Sequence, residues 1–280
     1  MRTECYFCHI KTIEKLVQKL NPAPELAQKF IFSSHDTIAE NRQLSNPELA
    51  AKIHRNARTI LDEYDLYEDE KKRSNKLILD QYDYWKNVIQ ESPSPLQTAI
   101  KLAVVGNVID YGAHSVKYDI ISQIEHLYQT PLKIDQTDDL IAEIESAKSI
   151  MILGDNSGEI VFDRLLIETM GHSNVTYVVR GKPVINDVTL EDAKQVGIDK
   201  EAKVISNGSD APSTILTDCD SEFVEQFKKV DLIISKGMGN YEGLMHEKGL
   251  NIFHLLITKC HSVAEFLKVE RNSLVVKGTN

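Results

Sequence analysis

Cysteine is scarce in this chain of 280 residues, which carries four, at positions 5, 8, 219 and 260. So few and so scattered, they exclude a disulfide scaffold and fit a reducing compartment. Long apolar runs are also missing. No stretch approaches the roughly 20 residues of a membrane-spanning helix, and Met1-Arg2-Thr3-Glu4-Cys5 has no apolar signal core. The expectation is a cytoplasmic protein with no membrane partner. Basic side chains are the minority, with 32 Lys and Arg against 42 Asp and Glu, a formal net charge of -10. That balance argues against a nucleic-acid partner, which needs a basic face. It leaves an anionic small molecule open, because a local metal and a few cations outweigh a distant surplus.

The ordinary fractions remain: 42% hydrophobic and 26% charged residues are those of a soluble globular protein. The length suits one large or two modest domains. Up to residue 95 the pattern is helical. Ile10, Ile13, Leu16, Val17 and Leu20 recur at intervals of three and four, ending at Asn21-Pro22-Ala23-Pro24. Asn46-Pro47-Glu48 opens another helix, with Asn46 as cap and Pro47 in the first turn. These features predict an all-helical domain or cap over 1–95. Ser92-Pro93-Ser94-Pro95 reads as a linker, and an apolar helix then runs into Gly106-Asn107-Val108-Ile109-Asp110-Tyr111-Gly112.

After Leu132 the rhythm changes. Strands are expected over 149–153, 175–179, 203–205, 231–234, 253–257 and 274–276, with helices over 160–170, 190–196, 221–228 and 241–247. Short buried strands alternating with helices predict an α/β domain over 96–280 with a mainly parallel, doubly wound sheet.

Each strong polar motif falls just after an expected strand. Gly154-Asp155-Asn156-Ser157-Gly158-Glu159 follows the first, and Arg180-Gly181-Lys182-Pro183-Val184-Ile185-Asn186-Asp187 the second. Asn207-Gly208-Ser209-Asp210 follows the third and Lys236-Gly237-Met238-Gly239-Asn240-Tyr241-Glu242 the fourth. Parallel strands bring all four turns to one sheet edge, where open α/β sheets bind ligands.

Asp155, Asn156 and Asp187 make an all-oxygen set suited to a hard or borderline divalent ion, with positions open for water and phosphate. An isolated Asp-Asn pair would be read as a helix cap; the flanking Gly154, Gly158 and Glu159 and the distant Asn186-Asp187 favour a metal. Lys236 with Gly237, Gly239 and Asn240 places a cation and flexible backbone at a helix start, the makings of a phosphate clamp. The competing reading is a tight turn with a solvated lysine. Arg180 has the fork geometry for phosphate oxygens, and its plainer role is a surface salt bridge. Cys5-Tyr6-Phe7-Cys8-His9 looks like half a metal knuckle, which Cys260-His261 would complete only if the termini meet. Thr217-Asp218-Cys219-Asp220 imitates the double-aspartate opening of haloacid-dehalogenase-type phosphatases, but the Thr or Val expected two places on is absent, so it reads as a polar helix start.

Taken in order, the motifs at 154–159, 180–187 and 236–242 resemble the damage-control phosphatases, also known as domain-of-unknown-function family eighty-nine. Gly106-Asn107 with Asp110, and Cys5 with Cys8, are similar to the compact stand-alone microbial branch. The resemblance implies a helical amino-terminal region on a Rossmann-like α/β domain. It implies hydrolysis of small phosphate monoesters, sugar phosphates or damaged phosphometabolites, with a divalent metal ion such as Mn, Mg, Co or Ni. By motif, Asp155, Asn156 and Asp187 would carry the metal. Asn107, Ser157, Glu159, Arg180, Lys236, Gly237, Gly239 and Asn240 would line the substrate pocket, with Asp155, Glu159 and Lys236 closest to the chemistry. Met238 departs from the pattern, which commonly has Gln there. Two other readings are a methyltransferase using S-adenosylmethionine, whose glycine-rich loop is missing, and a non-enzymatic metal-binding module using Cys5 and Cys8.

Overall fold

The computed structural model describes residues 2–109 and 119–279. Asp110, Tyr111 and Gly112 of the sequence motif lie outside the described residues. Three helices open the chain: α1 (Thr3–Leu20), α2 (Pro24–Glu40) and α3 (Asn46–Leu61). The first ends at Asn21, whose left-handed φ of 43° turns the backbone ahead of Pro22. The cap of α3 is Ser45, one residue before the expected Asn46, because Glu48 reaches back to the Ser45 amide at 2.7 Å. Asn46 is used elsewhere, as described below. Ile13, Leu16, Phe30, Leu49, Ile53 and Ala57 form the core of this bundle, closed by Leu66 and Tyr67.

Helices α4 (Glu68–Leu79), α5 (Tyr82–Gln90) and α6 (Pro95–Val105) pack differently. Ile78, Trp85 and Ile89 join the apolar core beneath the sheet rather than the first bundle. Trp85 meets Phe162 edge-on at 5.9 Å between ring centroids.

The rest alternates: α7 (Ile120–Gln129), β1 (Ile134–Asp135), α8 (Thr137–Ser146), β2 (Ile150–Leu153), α9 (Glu159–Met170), β3 (Val175–Val179) and α10 (Leu190–Val196). Then come β4 (Lys203–Ser206), α11 (Ser221–Phe227), β5 (Leu232–Lys236), α12 (Gly237–Leu244), β6 (Ile252–Ile257), α13 (His261–Leu267) and β7 (Leu274–Gly278). The strands make one sheet in the order β1-β7-β6-β5-β2-β3-β4, parallel at every pairing except β6 with β7. The fold is therefore the expected α/β architecture with a mainly parallel sheet.

Strand β2 is buried along its whole length, as the uninterrupted run Ile150-Met151-Ile152-Leu153 requires of a strand covered on both faces. Ile150 and Ile152 pack on the α6 and α9 side, while Met151 and Leu153 pack with Phe223, Phe227 and Leu244 on the other. Strand β1 has only two residues, too few to leave a periodic signal. Helix α12 starts at Gly237, four residues before the expected position, because the chain turns into the helix directly from β5.

From β2 the chain proceeds outward to β3 and β4, then returns to β5 on the other flank of β2. The carboxyl ends of β2 and β5 thus border the switch-point crevice where α/β sheets bind ligands. Among the described residues no helix is long and apolar enough to cross a membrane.

Candidate active site

The turn after β2 is tied to the turn after β3. Val188 donates its amide to the Asp155 carbonyl at 2.8 Å, Ser157 donates to the Asn186 carbonyl at 2.8 Å, and Asn156 and Asp187 form an antiparallel bridge. This short zipper explains how residues thirty positions apart share one wall. Beyond it, Gly158 adopts φ 83° and gives its amide to Asn75 Oδ1 at 2.6 Å before α9 begins.

Glu159 and Asp163 follow one turn apart on α9, both fully buried. They meet the end of β5, where Lys236 Nζ donates to Glu159 Oε1 at 2.7 Å and to Asp163. Two amides join Glu159 to the carboxylate above it. Asn107 Nδ2 donates to Asp155 Oδ2 and Glu159 Oε2, each at 2.9 Å, and Asn156 Nδ2 donates to the same oxygens at 2.7 and 3.0 Å. Asn107 is itself held by the Ile257 amide at 3.2 Å.

The second flank is fixed by Arg180, whose Nε donates to Asp187 Oδ2 at 2.7 Å and whose Nη2 donates to Asn240 Oδ1 at 3.0 Å. Asn240 in turn gives Nδ2 to the carbonyls of Lys236 and Gly154, at 2.8 and 3.2 Å. One amide side chain therefore couples the β2, β3 and β5 turns.

Above this network lies a cavity of about 370 Å³, roofed by α1 and α3. Asp155, Asn156 and Asp187 form part of its wall, along with Met238 and Gly239. The structure thus brings the expected oxygen set together. Asn107, Ser157, Glu159, Arg180, Lys236, Gly237 and Asn240 lie behind that wall. Lys236 is 0% exposed with two carboxylates on its ammonium, and Arg180 is 2% exposed with Asp187 and Asn240 on its guanidinium. In this arrangement both cations hold the acidic residues in position rather than face the open cavity. Ser157 likewise spends its hydroxyl on Asp192 Oδ1 at 3.1 Å. Asp218 and Asp220 are outside the site: Asp218 pairs with Arg55 at 2.7 Å and Asp220 immediately precedes α11.

Two participants escaped the sequence reading. Asp163 follows the apolar run Ile160-Val161-Phe162 in α9, and its spacing of four from Glu159 was the available signal. Lys259 follows β6 as the polar motifs follow β2, β3 and β5, so the same strand-end rule points to it; it lines the cavity and its charge acts on Asp155.

Electrostatically, the wall carries too many acids. Burial, then the charges of Glu159 and Asp187, push the Asp155 carboxyl well above the usual range, against the opposing pull of Lys259 and Arg180. Burial also raises Asp163, to about 6, against Lys236. Burial alone would lower Lys236, but Asp163 and Glu159 together hold its ammonium above the ordinary value. A cation beside Asp155 and Asp187 would relieve this crowding. The donor chemistry fits a hard divalent ion: two carboxylates, plus the oxygen of an Asn156 amide whose nitrogen is already committed. Among the described residues no three His, Cys, Asp or Glu side chains converge as a metal group, which leaves Cys5, Cys8 and Cys260 without a preformed knuckle although all three reach the cavity.

The fold and this switch-point site define a Rossmann-like α/β protein with an acidic, amide-braced cavity wall. The damage-control phosphatase ARMT1-like domain matches residues 1–275, and the chain belongs to that family. It is 34% identical over 281 residues to an uncharacterised protein of Methanocaldococcus jannaschii, covering 96% of this chain and 92% of that protein. It is 32% identical over 277 residues to a damage-control phosphatase of Pyrococcus horikoshii, covering 97% and 96%. A damage-control phosphatase of Archaeoglobus fulgidus is 32% identical over 281 residues, covering 98% and 97%. The crystal structure of a Pyrococcus horikoshii protein of domain-of-unknown-function family 89 superposes with a TM-score of 0.91 at 30% identity, covering 100% of this chain and 99% of that one.

Proposed function

We propose that this chain hydrolyses small phosphate monoesters, sugar phosphates or damaged phosphometabolites, with the phosphoryl group held against Asp155, Asn156 and Asp187 at the cavity wall. The observation that carries the reading is the convergence of these three oxygen-bearing side chains from two separate strand ends. They would hold a divalent ion of the Mg, Mn, Co or Ni kind. Such an ion, when bound, supplies Lewis-acid stabilisation of phosphoryl oxygens and lowers the pKa of a bound water.

The chain's own residues do the rest. Asn107 and Asn156 clamp Asp155 by donating to Oδ2, which leaves Oδ1 without a hydrogen bond among the described residues. Of Asp155 and Glu159, only Asp155 lines the cavity, so it is the group that orients the attacking water or accepts its proton. Lys259 faces the same wall and balances negative charge on the phosphoryl oxygens. Arg180 and Lys236 neutralise the buried acids and keep the wall rigid as charge develops. Bond making is between the water oxygen and phosphorus, and the ester P–O bond breaks to release the alcohol and inorganic phosphate.

Asp155→Ala, assayed on p-nitrophenyl phosphate with manganese supplied, should lose at least about 10³-fold in kcat while keeping a cooperative melt. Turnover at the parent rate would overturn the assignment.

A further inference from the structure

The cavity wall away from Asp155 has no role in the hydrolysis described above. Cys5 and Cys8 reach it from α1, Cys260 from the turn before α13, and Glu242 from α12. The charge of Glu242 acts on all three thiols, so residues from both ends of the chain surround one carboxylate.

That carboxylate is short of donors. Among the described residues it accepts two long bonds, 3.2 and 3.3 Å, both from the Asn46 amide nitrogen, whereas an ionised carboxylate accepts about four. Among the described residues no cation forms an ion pair with it or shifts its titration. Burial pushes its carboxyl up to about 7, with the Asn46 bond pulling the other way. The sulfurs supply no compensating charge. Burial holds Cys8 and Cys260 up at about 11, so they are neutral thiols offering lone pairs. A cation seated beside it would hold this carboxylate ionised, with the sulfur lone pairs as further acceptors.

The cation could be a bare metal or an organic group, and the spacing decides between them. A metal needs three or four donors at roughly 2.0–2.3 Å. Among the described residues no three His, Cys, Asp or Glu side chains gather in that way. A cation that carries its own donor protons does not need that convergence. A primary ammonium offers three donors, enough for the Glu242 carboxylate and the neighbouring sulfurs together.

We propose that Glu242, with Asn46 and the thiols of Cys5, Cys8 and Cys260, forms a subsite for a primary ammonium group on the alcohol part of the phosphate ester. The favoured substrates are then amino-substituted phosphate monoesters. This inference rests on the hydrolase reading and adds which esters the cavity selects.

Three probes of equal length test it: butyl phosphate (the propyl ester with a terminal methyl), 3-hydroxypropyl phosphate and 3-aminopropyl phosphate. Each is measured by turnover with manganese supplied and, separately, by calorimetric titration, for the parent and for Glu242→Gln. The Gln side chain keeps the bond to Asn46, and a melt confirms its fold. The parent should prefer the amino ester over the butyl ester at least about 10-fold, through KM and binding affinity, and Glu242→Gln should bring that ratio close to one. Equal preference for the hydroxyl ester, an unchanged ratio in the variant, or stoichiometric zinc held by the parent and lost in Cys8→Ser would overturn the proposal. Discrimination in binding without turnover of any ester would uphold the subsite and count against the hydrolase reading. Turnover without discrimination would do the reverse.

Discussion

Gly237 stands against the carboxylate of Asp155: a Cβ added at Gly237 would lie 1.8 Å from Asp155 Oδ2. The residue opening α12 therefore has to be glycine for the acid after β2 to keep its place, and its φ of 76° adds a second reason. Gly237→Ala should cost about 1–2 kcal/mol from the left-handed backbone. It should also cost about 10²-fold in kcat, because Asp155 is displaced by an ångström or more. A chemical melt and p-nitrophenyl phosphate kinetics on one preparation measure both. A variant that melts lower but turns over normally would show that Asp155 tolerates the shift.

Lys236 is the only cation bonded to the buried pair Glu159 and Asp163 among the described residues. Lys236→Met leaves two carboxylates in the core without it, and removing one partner of such a group costs about 3–5 kcal/mol. The pH dependence has a definite sign. Asp163 already titrates at about 6 in the folded chain against an ordinary 3.8. Between those values the folded state binds the extra proton, so this group's contribution to stability falls as pH rises through that window. Loss of the ammonium raises the Asp163 carboxyl further and carries the fall to higher pH. Urea midpoints at pH 5 and pH 8 should therefore differ more in Lys236→Met than in the parent, with the variant weaker at pH 8.

Metal binding should be visible without any assay of turnover. A ligand that binds only the folded state at 100 times its Kd adds about 2.7 kcal/mol. Manganese should raise the parent's melting temperature, and chelation should reverse the rise and remove activity together. In Asp155→Asn and Asp187→Asn the thermal shift should shrink or vanish. An equal shift in both variants would place the ion elsewhere.

Much of this was legible in the chain because it depends on local chemistry. The strands β2, β3 and β5 are short apolar runs, and each ends in a polar, glycine-bearing turn, so the sheet edge and its acidic residues could be read from spacing. The direction of Lys236 and Arg180 could not. A cation at a strand end suits a phosphate clamp equally well whether it faces the cavity or lies beneath it, and only the tertiary partners Asp163 and Asp187 decide. Asp163 itself is hidden in the helical run Ile160-Val161-Phe162 through Leu165, where one acid looks like a surface position. The expected boundary at Ser92-Pro93-Ser94-Pro95 marks a real break between α5 and α6, yet Trp85 and Ile89 pack into the sheet core, a long-range outcome with no local signature. The same holds for the roof. Nothing in the spacing of Cys5 and Cys8 says that α1 would close over a turn two hundred and fifty residues later.

That closure has a consequence for how the protein is made. Arg2 pairs with Glu265, and Cys5 and Cys260 share one cavity wall, so although α1 packs on α2 and α3, its contacts around the cavity wait until residue 265 has left the ribosome. A nascent chain halted after β5 would carry the acidic turns but an unfinished chamber. The cavity is among the last parts of the molecule to form, and contacts of such long sequence separation are slow to close.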